Sequence, residues 1–414
     1  MAGEKIYIAD KETLDEAKAN TDAILAAVGD SEKFKPKRYG FKINKNDSNP
    51  TTKVTYLYDA VGMTPAAMNY SSGAFDYGSW ADVWFVKNNY PAMVNYNGTE
   101  AYKLNPNDYT KKEDGTASDV ANANFAGNAM SAIPTIWISQ YEMGNYEYII
   151  LCEERYDSSY HAYAHERADG SIAKKKWFPM YEGYYDGTRI RSISGVTVTA
   201  SQSGQTELNR IAANGSQWYS LTWSMTNLMW AMLTLISKCD NSQLSFGNGN
   251  SSSDTFLNTG TLNSKGQFFG YNNTSQAVKV FHCENWWGNY WIRCAGMMQL
   301  HGKVVAKMTP PYNTTGAGYE PLGVTYTGTS SGYPSKTLMS DKGRIPIAFG
   351  GSSTTYTCDY LWWNASADTY ALFGGSRGPG ASCGASCLDL NFAFSNAGTS
   401  IGACLSCEQP LSEA

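Results

Sequence analysis

A face of small and apolar residues runs along the start of the chain. Its members recur at spacings of three and four, as on one side of an α-helix: Leu14, Ala17, Thr21, Ile24 and Val28. Asp10 or Thr13 can cap the beginning of this helix, and Gly29 can end it. Because so short a repeat is marginal in water, the face must be buried in copies of the chain, in the body of the protein or in a larger assembly. The pattern predicts a short N-terminal helix, either a stalk or docking helix or one folded onto the body.

Short β-like runs alternate with turn residues over the next part of the chain, from Pro36 to about Asn124. Val54–Tyr58 and Ala81–Val86 are two such runs, and Asn, Gly, Pro and Asp fill the segments around them. The pattern predicts irregular β structure with long loops.

Two later segments are more regular. The strand-like runs Pro134–Tyr141 and Tyr146–Cys152 flank the turn signal Glu142–Asn145 and predict a β-hairpin. The segment Gln217–Lys238 predicts a long helix that begins after a cap at Ser216. Its apolar stripe is typical of a core helix rather than a cofactor groove: Trp218, Leu221, Met225, Leu228, Met229, Met232, Leu235 and Ile236. Beyond it, Gly, Ser, Thr and Asn interrupt every apolar run, which leaves room only for short strands and long loops.

The composition is rich in rings and turn-forming residues and poor in charge. The chain has 29 Tyr, 12 Trp and 39 Gly, and only 17% of its residues are charged. Surfaces of Tyr, Trp, Ser, Gly and Asn are typical of adaptable recognition sites, because rigid rings give contact area at low entropic cost. The formal net charge of -5 provides no basic field for phosphates. Nucleic acid is therefore disfavoured as a partner.

Compartment and redox state follow from the apolar runs and the cysteines. The N-terminus carries no apolar core of a signal peptide, and the longest apolar stretch, Leu228–Ile236, is too short to span a bilayer. We expect a protein that is made in the cytoplasm and does not insert into a membrane. The 9 Cys are odd in number and follow no regular framework, so reduced thiols are expected.

Two histidines form the first candidate metal site. His161 and His165 lie four residues apart and could share a helix face and a metal ion. However, Tyr160, Ala162 and Ala164 alternate with polar positions as in a strand, which also places both histidines on one face. A structural role is therefore favoured over a metal site.

The remaining candidate chemistry is weak. Phe246–Asn250 lacks the Gly-Lys-Ser/Thr ending of a phosphate loop and the third glycine of a dinucleotide fingerprint, so it predicts a turn. Cys383, Cys387, Cys404 and Cys407 cluster near the end of the chain. A zinc site or a disulfide formed outside the cell remains an alternative to free thiols there. No Gly-x-Ser-x-Gly elbow and no Ser/His/Asp set is evident.

The most specific motif is Glu284–Trp291, which reads ENWWGNYW. A glycine among three tryptophans implies a backbone packed closely against rings. The motif resembles the Glu-Asn-x-Trp-Gly-Asn-x-Trp signature of the formylglycine-generating-enzyme subgroup of the C-type lectin fold. That subgroup also includes the variable proteins of diversity-generating retroelements.

Further segments strengthen the resemblance. Four of them are similar to the C-terminal variable region of phage and prophage proteins in that group: Cys358–Tyr360, Ala371–Ser376, Leu388–Asn391 and Ile401–Ala403. Three earlier ones resemble gut-phage tail-fibre or head-fibre proteins: Arg191–Gly195, Ser237–Gln243 and Phe246–Gly249. The likeness extends from about Arg38 to the end of the chain.

The resemblance implies an α+β, C-type-lectin-like fold of the formylglycine-generating-enzyme subgroup, with few helices, short strands and long loops behind the N-terminal helix. Three regions follow from it. Residues 1–37 would serve oligomerisation or virion attachment, and residues 38–132 would form an irregular β-rich subdomain. Residues 133–414 would form the ligand-binding domain, with a variable region at about 358–407.

Within the variable region, the resemblance implies a fixed scaffold at Gly374, Gly375 and Ile401-Gly402, with the side chains between them facing outward. The expected ligand-binding residues are Tyr360, Trp362, Trp363, Ala365, Ala367, Asp368, Arg377, Gly378, Pro379, Ser382, Cys383, Ser386, Cys387 and Asp389. The family commonly has Trp where Arg377 stands and Arg where Cys404 stands. Either the local ligand geometry is altered or this copy is itself a diversified or drifted variant.

For function, the resemblance implies a non-enzymatic protein on a phage particle, a tail-fibre tip or capsid fibre, that binds a protein or glycan receptor on a bacterial cell. Other virion proteins, through the N-terminal region, and further copies of the chain, as a homotrimer, are the other expected partners. No cofactor is expected, and structural calcium is not readable from the sequence. Two alternatives are a structural or decoration protein of the virion and a sulfatase-modifying-type oxidase. The oxidase needs a reactive, copper-binding cysteine pair, which Cys358, Cys383 and Cys387 do not clearly match.

Overall fold

The computed structural model describes residue 13, residues 15–24 and residues 35–411. The chain divides into two units after Lys37. In the first unit, residues 15–24 are helical (α1) and their side chains are exposed. The predicted N-terminal helix is present over these residues. Four positions of that prediction lie outside the described residues: Asp10, Leu14, Val28 and Gly29.

Residues 35–411 are mostly β-strands with few helices, as the sequence predicts. The first strands are β1 (Arg38–Asn44), β2 (Val54–Tyr58), β3 (Ala67–Asn69), β4 (Ala74–Asp76), β5 (Tyr90–Asn95), β6 (Glu100–Asn105), β7 (Asp108–Lys112), β8 (Gly127–Pro134), β9 (Trp137–Met143), β10 (Tyr146–Cys152), β11 (Lys175–Pro179), β12 (Tyr184–Tyr185), β13 (Ile190–Arg191) and β14 (Trp218–Ser220). The later strands are β15 (Lys279–Val280), β16 (Cys283–Glu284), β17 (Trp291–Leu300), β18 (Lys303–Ala306), β19 (Glu320–Thr325), β20 (Thr329–Gly332), β21 (Pro334–Ser340), β22 (Gly343–Phe349), β23 (Leu361–Asn364), β24 (Thr369–Phe373), β25 (Leu388–Leu390), β26 (Ile401–Gly402) and β27 (Leu405–Glu408). The helices of this unit are α2 (Trp84–Lys87), α3 (Gly204–Ala212), α4 (Trp223–Ser237) and α5 (Ser242–Phe246). Among the described residues, no helix is both long and apolar enough to cross a membrane.

Three larger sheets organise residues 35–411. The first has the order β2-β1-β10-β9, and the second has the order β14-β27-β11-β8-β5-β6-β7. The third has the order β19-β18-β17-β24-β25-β23-β20, and β26 pairs in parallel with β17. Strands from both sides of the expected boundary at residue 132 share the first two sheets. Residues 38–132 therefore do not form a separate unit.

The predicted hairpin is present as β9 and β10. Met143 pairs with Tyr146, and Gly144 in the turn has a φ of 61°. This left-handed conformation is one that glycine adopts without strain. The hairpin prediction is confirmed.

The central helix α4 lies in the main hydrophobic core with every residue buried, which confirms the predicted core role. Its predicted start at Ser216 is wrong. The helix begins at Trp223, and the side chain of Thr222 caps it by accepting the N–H of Met225 at 3.3 Å. Trp218, which extends the apolar spacing in the sequence, lies in β14 instead and pairs with β27 near the end of the chain.

Candidate ligand-binding surface

The motif Glu284–Trp291 begins at a buried carboxylate. Glu284 is 4% exposed, and its carboxylate accepts hydrogen bonds from the amides of Gly260, Thr261 and Leu262 at 3.0, 3.0 and 3.1 Å. Burial raises the pKa of Glu284. The carboxylate thus fixes the backbone turn at residues 260–262.

Side chains of the same motif also hold the buried carboxylate of Glu182. The Nδ2 groups of Asn285 and Asn289 donate to it at 3.0 and 2.6 Å, and the backbone N–H of Tyr290 donates at 3.1 Å. Burial raises the pKa of Glu182 to about 8. Because the donors all come from the protein itself, the motif acts as scaffold.

The glycine of this motif approaches backbone rather than rings. Gly288 has a φ of 87°, and a Cβ there would lie 3.2 Å from the amide nitrogen of Asn250 and 3.3 Å from that of Ser251. The ring contact expected from the sequence occurs instead at Gly249, where a Cβ would lie 3.1 Å from the side chain of Trp287.

Strand β23 carries two adjacent tryptophans that point to opposite faces of the sheet, as successive strand residues do. Trp363 lies in the core, whereas Trp362 is half-buried on the other face. The ring of Tyr360 packs on Trp362 with centroids 4.4 Å apart, and Tyr333 meets Tyr360 edge-on at 4.7 Å. We call these three half-buried rings, Tyr333, Tyr360 and Trp362, the aromatic patch.

Serine hydroxyls hold the aromatic patch in place. The hydroxyls of Ser331 and Tyr360 are 3.2 Å apart, and those of Tyr333 and Ser382 are 3.0 Å apart. The N–H of Tyr360 also donates to the carbonyl of Ser382 at 3.1 Å. The rings are therefore ordered before any ligand arrives, which lowers the entropic cost of binding.

Asp389 lies beside the aromatic patch on the same face of the sheet. Asp389 is paired with Trp362 in β23 and with Leu372 in β24. Residues that are paired across neighbouring strands project their side chains to the same face of the sheet. The ring of Trp291 meets that of Trp362 edge-on at 5.5 Å. The Oδ1 of Asp389 accepts the N–H of Asn391 at 2.8 Å, and burial raises the pKa of Asp389 to about 7.

Four of the expected ligand-binding side chains are buried rather than displayed: Trp363, Cys383, Cys387 and Asp389. Trp363 stacks on Phe349 at 4.6 Å and donates its Nε1–H to the carbonyl of Thr327 at 3.1 Å. The Sγ of Cys383 packs so closely on Gly375 that a Cβ there would overlap it. The expected outward display of Trp363, Cys383 and Cys387 is wrong, because strand pairing and the folded-back loop after β24 bury their side chains. Asp389 differs from these three: it shares the sheet face of Trp362 and is largely covered by its neighbours there.

Ala365, Ala367 and Asp368 lie on the turn between β23 and β24. Asp368 is exposed, and its Oδ1 accepts the N–H of His301 at 3.1 Å. This turn is at the opposite end of β23 from Tyr360. These three expected residues therefore lie apart from the aromatic patch.

Arg377, Gly378 and Pro379 lie in the loop after β24. The Nη1 of Arg377 donates to the carbonyl of Ser253 at 2.7 Å, and its guanidinium lies over the ring of Phe256 at 4.6 Å. Arg377 therefore ties two loops together. Gly378 is exposed and Pro379 is half-buried.

Ser386 is likewise occupied within the protein, since its N–H and hydroxyl both donate to Asp359, at 2.7 and 2.9 Å. Of the expected residues, the structure brings together four: Tyr360, Trp362, Ser382 and the largely buried Asp389. Sequence reasoning missed Ser331 and Tyr333, which precede the segment that the resemblance covers as variable. The one local sequence signal for Ser331 and Tyr333 is that small residues stand next to an aromatic residue there.

The two histidines of the candidate metal site have different surroundings. His165 is buried with Nε2 3.3 Å from the carbonyl of Ile133, and burial lowers its pKa to about 3. The ring of His161 stacks on Tyr163 at 4.6 Å. In the part of the chain that the structure describes, no group of three or more His, Cys, Asp or Glu is placed to hold a metal ion.

All nine cysteines are buried and free of disulfides, in agreement with the reduced thiols expected from the sequence. Burial raises the pKa of the Cys383 and Cys387 thiols. A nucleophilic cysteine needs an accessible thiolate. These two residues therefore lack the character that the oxidase alternative requires.

No protein-family model matches the chain, and no curated protein matches it. Among solved structures, the Major Tropism Determinant M1 variant is similar with 13% identity and a TM-score of 0.31, over 77% of this chain and 71% of that one. The P3c variant is similar with 12% identity and a TM-score of 0.30, again over 77% and 71%. The U1 variant has 12% identity and a TM-score of 0.29, over 77% and 72%.

Proposed function

We propose that this chain is a receptor-binding protein on a bacteriophage particle, a tail-fibre tip or capsid fibre, that binds a molecule on the bacterial surface through the aromatic patch. The motif Glu284–Trp291 and the C-terminal segments support the class of protein, because they resemble variable phage proteins. The aromatic patch supports the place of binding.

One observation carries the proposal: three touching rings remain half-buried at the surface and are fixed by hydroxyl contacts. Tyr and Trp dominate binding energy at many interfaces, since a rigid ring gives a large contact area for little lost freedom. The hydroxyls of Ser331 and Ser382 sit at the rim of these rings, where a polar ligand group can exchange hydrogen bonds with them.

A C-type-lectin-like architecture of the formylglycine-generating-enzyme subgroup belongs to the same proposal. It is supported by the position of Glu284–Trp291 at a buried junction. It is also supported by the pairing of β25 with β23 and β24, because these strands follow, overlap or lie within the segments Cys358–Tyr360, Ala371–Ser376 and Leu388–Asn391 that resemble the family. In such an arrangement the ligand-facing side chains lie on one sheet face and its adjoining loops.

Display in several copies would compensate for a weak single site, because linked sites raise the effective concentration of one another. We propose a homotrimer held, and attached to other virion proteins, through the N-terminal region. The exposed side chains of α1 are consistent with burial in such an assembly.

Binding of the purified full-length chain to host cells tests the proposal. We expect Trp362→Ala to weaken binding about tenfold or more, as loss of a central interface ring does. Equal binding by Trp362→Ala and the natural chain would contradict the aromatic patch as the receptor site. If the full-length chain fails to bind cells at all, the decoration alternative is favoured.

Tyr148→Ala provides the matched control. Tyr148 is also half-buried on a sheet face and stacks on Tyr141 at 5.0 Å, but it lies in the first sheet. We expect Tyr148→Ala to bind as the natural chain does. The thermal midpoints of both variants show whether either effect comes from unfolding.

A further inference from the structure

A buried carboxylate without a counter-ion lies next to the aromatic patch. Asp389 is 5% exposed, and the N–H of Asn391 is the one hydrogen bond to its carboxylate within residues 35–411. No cation contributes to its electrostatic environment there. Its Oδ2 accepts no hydrogen bond from residues 35–411, although it is not among the fully enclosed polar atoms without a partner. This oxygen is therefore an unused acceptor at the edge of the aromatic patch.

Other buried acids within residues 35–411 are compensated by ion pairs or hydrogen bonds. Asp240 forms ion pairs with Lys53 at 3.2 Å and with Arg344 at 2.8 Å, and Glu182 accepts three hydrogen bonds. Burying a carboxylate costs free energy unless charge or hydrogen bonds offset it. Asp389 departs from this pattern, and it does so beside the contacting rings of the aromatic patch.

The rings beside Asp389 favour the same kind of ligand as the carboxylate. Trp362, Trp291 and Phe392 belong to one cluster on this face. The face of an aromatic ring is electron-rich and attracts cations, most strongly for Trp. Ring and carboxylate together match a positively charged group, and the unused acceptor Oδ2 favours a cation that carries N–H donors.

We propose that the aromatic patch and Asp389 bind a primary ammonium group of the bacterial receptor. This rests on the proposed function and names the chemistry that the site recognises. The ammonium group donates to Oδ2 of Asp389 and lies against the ring of Trp362. A lysine side chain of a surface protein and an amino group of a surface glycan or lipid both carry this chemistry.

The pH dependence of binding follows from the carboxylate. The groups around Asp389 on this face are Trp362, Leu372, Trp291 and Cys387, and burial raises the pKa of the Cys387 thiol, so it stays neutral. With a pKa of about 7, Asp389 is mostly protonated at pH 6 and mostly ionised at pH 8. A primary ammonium stays charged over this range. We expect receptor binding to strengthen roughly fivefold to tenfold from pH 6 to pH 8, in line with the ionised fraction.

Asp389→Asn tests the proposal, since its amide oxygen can still accept the N–H of Asn391. Full-length protein is bound to host cells before and after acetylation of the primary amines on the cells. We expect acetylation to weaken binding of the natural chain about tenfold. Asp389→Asn should bind untreated cells about tenfold more weakly, lose the pH dependence and respond little to acetylation. Asp114→Asn removes the same charge from the exposed turn after β7 and should behave as the natural chain.

Each remaining outcome is decisive. If Trp362→Ala loses binding while Asp389→Asn and acetylation change nothing, the ammonium ligand is refuted and the receptor site stands. If Trp362→Ala binds normally, the proposed function itself fails. Protease treatment of the cells separates the two sources: lost binding indicates a surface protein, and retained binding indicates an amino-bearing glycan or lipid. A thermal midpoint of Asp389→Asn at or above that of the natural chain excludes unfolding as the cause.

Discussion

At the scale of single residues, two glycines shape the loop after β24. Gly374 and Gly375 have φ values of 88° and 86°, in the left-handed region that other residues adopt only with strain. A Cβ at Gly374 would lie 2.9 Å from the carbonyl oxygen of Trp286. At Gly375 the space is filled by the sulfur of Cys383. Cys383 can therefore pack against the backbone at Gly375 because this residue has no Cβ.

Gly375→Ala should therefore destabilise the protein by on the order of 2 kcal/mol, from backbone strain together with overpacking. Gly378→Ala is its control, because no atom lies within 4 Å of a Cβ there. We expect the control to stay within about 0.5 kcal/mol of the natural chain. Thermal or denaturant unfolding of the two variants measures the difference, and equal midpoints would contradict the packing described for Cys383.

At the scale of elements, apolar spacing identified helix α4 and its core position but not its beginning. Trp218 and Leu221 continue the helical spacing in the sequence, yet they precede the helix because β14 pairs with β27 near the end of the chain. Strand β23 shows the same limit. Its adjacent residues Trp362 and Trp363 give the same signal in the sequence. Only the position of the strand between β20 and β25 decides which of the two rings is buried. Local patterns cannot contain such long-range pairings.

The true beginning of α4 can be tested by removing its cap. Thr222→Ala removes the hydroxyl that accepts the N–H of Met225 and should cost about 1 kcal/mol of stability. Ser216→Ala, at the exposed position that the sequence predicted as the cap, should have almost no effect. If Ser216→Ala loses more stability than Thr222→Ala in thermal unfolding, the helix begins near Ser216, as the sequence predicts.

At the scale of the whole molecule, the candidate site is assembled from three stretches of chain. Ser331 and Tyr333 come from β20 and the residue after it, Trp362 and Tyr360 from β23 and the residue before it, and Ser382 from the loop after β24. The resemblance located the last two stretches but could not show that the first joins them. The cysteines show the converse. Four of the nine, Cys383, Cys387, Cys404 and Cys407, cluster in sequence near the end of the chain and resemble a site, yet the fold buries all nine.

This burial predicts the thiol chemistry of the intact protein. With a soluble disulfide reagent such as DTNB, we expect close to none of the nine cysteines to react in the native state and all nine to react in denaturant without reductant. Fewer than nine reactive thiols after unfolding would indicate a disulfide or a bound metal. That result would favour the zinc site or the disulfide that the sequence leaves open for Cys383, Cys387, Cys404 and Cys407.

The central claim is that the aromatic patch binds the receptor, and adsorption of intact particles tests it most directly. The rate at which particles carrying Trp362→Ala attach to host cells should fall about tenfold or more, while particles carrying Tyr148→Ala should attach as the natural particles do. Attachment by the Trp362→Ala particles at the natural rate, with the protein present in normal amount, would contradict the account.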